Sequence, residues 1–105
     1  MIGAMRHRLV LETPVDTPDG AGGAARAWTT VATVWAGLRP FGASERVDAD
    51  AEEHAATHRV LVRWRDDVTA KDRFRLGARI FEIRALADPD ERRRFLHIDV
   101  EEVSR

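Results

Sequence analysis

Cysteine is absent from this chain, which rules out disulfides, thiol nucleophiles and thiolate metal sites at once. There is no apolar run near the ~20 residues that cross a bilayer. The opening Met-Ile-Gly-Ala-Met-Arg-His-Arg has no signal-peptide core, so a soluble, unexported chain is expected. Lysine is almost missing too: Lys71 stands alone among 17 basic residues, the rest being arginine. Eighteen acids offset them to a net charge of −1, whereas a protein that grips DNA phosphates carries a clear basic excess. The only serines, Ser44 and Ser104, lie in no glycine-flanked elbow and near no plausible His–Asp pair. Gly20, Gly22 and Gly23 are not followed by the helix start and lysine of a phosphate-binding loop. These gaps remove most catalytic vocabulary, and no enzyme, cofactor or metal is expected.

What is present is alternation. The 105 residues suffice for one domain with one core, which buries roughly two thirds of the unfolded surface. From His7 to Thr13, Leu9 and Leu11 fall on one side and Arg8, Val10 and Glu12 on the other. Trp28 to Leu38 is rich in Thr, Val and Trp, setting Val34, Ala36 and Leu38 against Trp35 and Arg39. Later, His58, Val60, Val62 and Trp64 alternate with arginines and Leu61. Phe74 and Leu76 lead through Gly77-Ala78 into a strand with Phe81, Ile83 and Ala85 on one face and Ile80, Glu82, Arg84 and Leu86 on the other. Leu96, Ile98 and Val100 form the inner face of a last strand. About five short antiparallel strands predict an all-β fold, a small barrel or sandwich, with no second domain and no repeat.

Two connections stand out. Pro14, Thr17-Pro18-Asp19-Gly20, Gly22 and Gly23 read as a flexible loop of about a dozen residues, long enough to be functional. Between the second and third strands, Gly42 to Glu53 is dominated by Ala, Glu and Asp and carries a charge of −4. Ser44 is placed to cap a short helix there, and Val47 with Ala51 makes only a thin apolar stripe. Taken alone, the segment reads as a solvated loop or frayed helix.

Other candidates are weaker. His54 and His58 have helical metal-pair spacing, but zinc needs three or four ligands and no catalytic Glu lies between them. The arginines Arg59, Arg63, Arg65, Arg73, Arg75, Arg79 and Arg84 fit either a nucleic-acid platform beside Trp64 or cross-strand pairing with Glu82, Asp99 and Glu101. Cross-strand pairing, or contact with a neighbouring subunit, suits the balanced charge better. Arg92-Arg93-Arg94 after a turn reads as a solvated corner that also suits a partner.

Order and spacing together carry a resemblance over nearly the whole chain. Its elements are Arg6-His7-Arg8, the Trp28 strand after a Gly-rich loop, Val34-Trp35-Ala36, and Thr57-His58-Arg59-Val60 with Arg63. Arg73, Gly77, Arg79, Phe81-Glu82-Ile83 and Asp88-Pro89-Asp90-Glu91-Arg92 complete it. The chain resembles the head–tail joining (head-closure or stopper) proteins of tailed phages, and its composition is similar to homologues carried by gene transfer agents. Relatives tend to be more polar at Pro18 to Ala25, and here the last strand has no cysteine.

The resemblance implies a homo-oligomeric ring of six copies in a virion or phage-like particle, assembled in the bacterial cytoplasm. An adaptor ring would lie above it and tail terminator or tail proteins below, with DNA passing through without sequence-specific binding and no membrane involved. It also implies a long loop between strands two and three, mapping to Phe41–Ala56 and projecting into the channel. Its gate residues would be Gly42 as hinge, Ser44, Glu45, Val47, Asp48, Asp50, Glu52 and Glu53. Ring-contact candidates are Asp19, Arg26, Arg59, Arg63, Arg65, Arg92 and Arg93. Two alternatives stay open: a tail-terminator ring, or an OB- or SH3-like nucleic-acid module.

Overall fold

The computed structural model describes residues 5–44, 55–88 and 90–103. Six antiparallel strands follow one another: β1 (His7–Pro18), β2 (Ala24–Pro40), β3 (His58–Arg63), β4 (Arg73–Leu76), β5 (Arg79–Ala87) and β6 (Phe95–Val103). They close into a barrel in the order β1-β2-β3-β6-β5-β4. The all-β expectation is met, with one strand more than anticipated.

The period-two residues fill the barrel. Leu9, Leu11, Val60, Val62, Phe74, Phe81, Ile83, Leu96, Ile98 and Val100 form one buried cluster with Val34 and Ala36. Phe74 and Phe81, directly opposite across β4 and β5, are fully buried. The turn joining these strands places Gly77 at φ +60°, which a two-residue hairpin with glycine first requires. Alternation breaks once in β5. The register steps from Ile83↔Val100 to Ala85↔Asp99, leaving Arg84 as the extra residue of a bulge. That step brings Leu86 opposite Ile98 and against the core, where unbroken alternation predicts it on the outer face.

The larger correction concerns Pro14 to Ala27. This stretch is no flexible loop. β1 continues to Pro18 and β2 starts at Ala24, paired from Thr13↔Thr29 to Pro18↔Ala24. Only 19–23 form the turn, where Asp19 Oδ1 accepts from the amides of Ala21 (2.8 Å) and Gly23 (3.1 Å). β4 reaches β1 only at Val10–Glu12, and β3 reaches β2 only at Gly37–Pro40. The distal β1–β2 ribbon therefore leaves the barrel as a two-stranded arm. Its pairing follows from that of the barrel after a one-residue shift between Leu11 and Glu12, so it needs no hydrophobic face of its own.

Candidate functional site

β2 is 17 residues long, and at ~3.3 Å per residue it runs the length of a molecule whose longest extent is 47 Å. It carries the arm at one end and the β2–β3 connection at the other. The arm and the described stems of the β2–β3 connection therefore lie at opposite poles.

At the connection pole the stems are clamped. Pro40 pairs with His58, the Phe41 amide donates to Thr57 O (2.8 Å), and the Thr57 amide donates to Val100 O (2.8 Å). The Thr57 hydroxyl in turn accepts from the Glu102 amide at 2.8 Å. The Arg59 guanidinium lies 5.5 Å from the Phe41 ring centre, and Ala56 is buried. Of the candidate gate residues, Gly42 and Ser44 are exposed on the outgoing stem. Ala43 and Ser44 are already helical, so Ser44 lies inside the first turn rather than at its cap. Glu45, Val47, Asp48, Asp50, Glu52 and Glu53 lie outside the described residues, as does His54. His58 packs edge-on against Phe81, with ring centres 5.4 Å apart. Among the described residues no three metal-ligating side chains cluster.

The ring-contact candidates do not form one patch. Asp19 and Arg26 lie on the arm, where Arg26 Nε donates to Asp16 at 2.8 Å and holds that carboxyl below its ordinary value. Arg59 bonds Asp99 across β3 and β6 at 2.8 Å. Arg92 sits on an exposed corner. Arg63 and Arg65 line a cleft beside the seam between β2 and β3, and Arg93 reaches one of its walls at Trp64. The cleft's volume is about 240 Å³, and its lining includes Met5, Val34, Trp35, Val62 and Trp64. Arg65 is paired with Asp67 (2.7 Å), whereas Arg93 stacks over Trp64 with its guanidinium 5.8 Å from the ring centre.

Cross-strand pairing accounts for most of the remaining arginine ladder. Arg84 bridges Glu82 (2.9 Å) and Glu101 (2.6 Å), and Arg79 bonds Glu102 at 2.8 Å. Two acids carry more than the sequence suggested. Glu12, on the outer face of β1, is only 5% exposed because Arg73 (2.8 Å) and Arg75 (3.3 Å) close over it. Arg73 also stacks 4.0 Å from the Trp28 ring centre, sealing the base of the arm. Asp72 is likewise buried and accepts from the Thr69 amide at 2.9 Å, bracing the turn before β4. A period-two reading cannot find Glu12, because its burial depends on Arg73, 61 positions away in the chain.

The geometry supplies surfaces for contact: the clamped stems of the β2–β3 connection at one pole, a projecting ribbon at the other and a seam cleft between them. A family model described as phage head completion protein matches residues 1–103, and the chain belongs to that family of structural virion proteins. Two solved structures are similar along nearly their whole length. The solution structure of protein SF1141 from Shigella flexneri 2a has a TM-score of 0.79 and 28% identity, covering 99% of this chain and 97% of that one. A chain in the virion of a native gene transfer agent particle has a TM-score of 0.64 and 28% identity, covering 95% and 96%. No curated protein matches. No helix among the described residues is long and apolar enough to cross a membrane.

Proposed function

We propose that this chain is the head-closure (stopper) subunit of a tailed phage or gene-transfer-agent particle. Six copies form a ring at the head–tail junction, with an adaptor ring above and tail proteins below. The ring retains packaged DNA and gives the tail a docking surface. The observation that carries this reading is the head-completion match across residues 1–103. The likeness to a chain of a gene transfer agent virion supports it.

In this ring the segment 42–53 is the gate element, with Gly42 its hinge. Support comes from its charge and its anchorage. Six copies of a −4 segment put about −24 around the lumen, and carboxylates repel passing phosphates over a screening length of ~8 Å at physiological salt. The stems at Phe41 and Thr57 fix the segment to a rigid barrel. Replacing Glu45, Asp48, Asp50, Glu52 and Glu53 with Gln or Asn tests the assignment. DNA should leak from filled heads; retention equal to the unsubstituted particle's overturns it. Detection of the protein on tailless, DNA-filled heads separates a stopper from a tail terminator, which would be found on isolated tails.

A further inference from the structure

The two outer edges of the arm are not equivalent. Pro14 and Pro18 stand in β1 opposite Trp28 and Ala24. A proline fits a ladder only where its nitrogen faces away from the partner strand, so both point to β1's outer edge. Between them Asp16 alone supplies an outward donor. This edge is blunted in the way natural sheets block unwanted strand addition. β2 has no proline between Ala24 and Arg39. By the same alternation, the main-chain groups of Trp28 and Thr30 face outward from β2. Among the described residues no strand pairs with that side of β2 before Gly37. The open edge is rich in β-branched residues, Thr29, Thr30, Val31 and Thr33. A bulge at Val31 leaves that side chain 37% exposed.

The open edge runs into the seam cleft. Val15, Val31 and Trp35 are the large hydrophobic side chains exposed among the described residues, and all three lie on the β1–β2 ribbon. Trp35 is 58% exposed at the cleft mouth. Arg65 on this cleft is paired with Asp67, but three other cations of the region differ from most of those elsewhere. Arg59, Arg73, Arg75, Arg79 and Arg84 each meet a carboxylate. Arg8 instead lies over Trp35 (5.5 Å) and Arg93 over Trp64 (5.8 Å), and neither they nor Arg63 meets a carboxylate among the described residues. Arg93 is held there by a corner with left-handed backbone at Glu91 (φ 58°) and Arg93 (φ 56°). The Arg93 amide donates to Asp88 Oδ2 at 2.9 Å, fixing that corner.

We propose that β2's free edge, from Trp28 to Trp35, receives an extended acidic strand from another polypeptide, which seats an apolar side chain in the seam cleft between Trp35 and Trp64. Main-chain bonds to the open edge supply affinity, as in other strand additions. The cleft selects one anchor residue. Arg8, Arg63 and Arg93 select acids beside it, since charge complementarity sets register and partner choice. The proline-blunted β1 edge directs addition to one side of the ribbon only. None of this depends on how many copies form a ring or on what the 42–53 segment does.

The test uses the full chain, isotope-labelled, and a synthetic peptide that alternates glutamate with valine around one phenylalanine. Binding should slow amide exchange at Trp28 and Thr30 and shift the indole signals of Trp35 and Trp64. Thr30→Pro, which copies onto β2 the device already present on β1, should abolish that protection. Arg63→Glu, at an exposed position, should weaken the glutamate peptide about tenfold. A peptide N-methylated at alternate amides should not bind, and it carries the test should Thr30→Pro disturb the fold. Four results overturn the proposal: no edge protection, equal binding by the N-methylated peptide, equal binding by a lysine-for-glutamate peptide, or protection by a single-stranded oligonucleotide instead.

Discussion

β1 passes through two environments and stays paired with β2 through both, with one bulge between Leu11 and Glu12. From His7 to Glu12 it belongs to the barrel and buries Leu9 and Leu11 completely. From Thr13 to Pro18 it belongs to the arm, and from Val15 onward every residue is exposed. β2 divides in the same way, exposed from Ala24 to Ala27 and buried at Val34, Ala36 and Gly37. One pair of strands thus supplies both a wall of the core and a projection with almost no core. The barrel half holds the buried side chains; the arm half is mostly exposed. A two-stranded ribbon is marginal by itself, so the arm is held by its root, where Glu12, Arg73 and Trp28 close together.

The largest expected contrast comes from apolar truncation on either side of that division. Phe74→Ala removes a fully buried ring packed against Phe81 and should cost about 3–5 kcal/mol. Val15→Ala on the arm should stay within about 0.5 kcal/mol. Urea unfolding of both variants measures the difference. Similar midpoints would mean that the arm is buried in the protein as it exists in solution.

Charge gives the second contrast. Glu12→Ala strands the Arg73 guanidinium, whose side chain is only 11% exposed, and should cost about 3 kcal/mol. Asp16→Asn breaks the Asp16–Arg26 pair, whose side chains are 52% and 58% exposed, and should leave the unfolding midpoint where it was. A joint replacement of Glu12 and Arg73 by apolar residues should be milder than Glu12→Ala alone, because no unpaired charge remains buried. If the joint replacement proved the more damaging, the pair would be stabilising in its own right.

A third contrast is one of backbone. Gly77 (φ +60°) and Gly20 (φ +80°) both adopt left-handed geometry with open space where a Cβ would sit. Gly77→Ala strains a hairpin inside the barrel and should lower global stability by about 1 kcal/mol. Gly20→Ala strains the arm's turn, which can relieve itself by local fraying, so exchange at 19–23 should quicken while the global midpoint holds.

The same division separates what the sequence made legible from what it hid. Leu9, Leu11, Val60, Val62, Phe81, Ile83, Leu96, Ile98 and Val100 could be assigned inward because one face of each strand meets the core and the other meets water. That asymmetry is absent in the arm. Both faces of Thr13–Pro18 and Ala24–Ala27 are largely solvated, so prolines and glycines dominate the pattern and suggest a loop. Leu86 was misplaced because the bulge at Arg84 inserts one residue into the count, and no local composition announces it. Glu12 was hidden for a different reason. A carboxylate reads as solvent-facing until its partner is known, and Arg73 lies 61 positions from Glu12. The contact surfaces were legible as residue types but not as places. Arg63 and Arg93 were candidates, yet only folding brings Arg63 to one cleft with Trp35 and Trp64 and stacks Arg93 on that Trp64.

Acid should act on the barrel and the arm unequally, and by the smallest amount. Arg79 holds the Glu102 carboxyl below its ordinary value of 4.5, chiefly through a hydrogen bond. Arg65 does the same for Asp67, and Arg26 for Asp16, below 3.8. A carboxyl depressed by folding contributes stability that is present above its unfolded value and is lost as pH falls through the folded one. Stability should therefore begin to decline near pH 4.5, where Glu102 of the unfolded chain takes up its proton, and keep declining below 3.8 as Asp67 follows, until the folded carboxyls are protonated too. Glu102→Gln and Asp67→Asn sit on the barrel and should flatten this acid limb. Asp16→Asn sits on the arm and should not, although its carboxyl is shifted in the same direction. All these groups are solvated, so the limb should be shallow and shallower still in high salt. Unfolding midpoints followed from pH 6 to 2 decide the matter: if Asp16→Asn flattened the limb as much as Glu102→Gln, the arm would be part of the cooperative unit, and its separation from the barrel would fail.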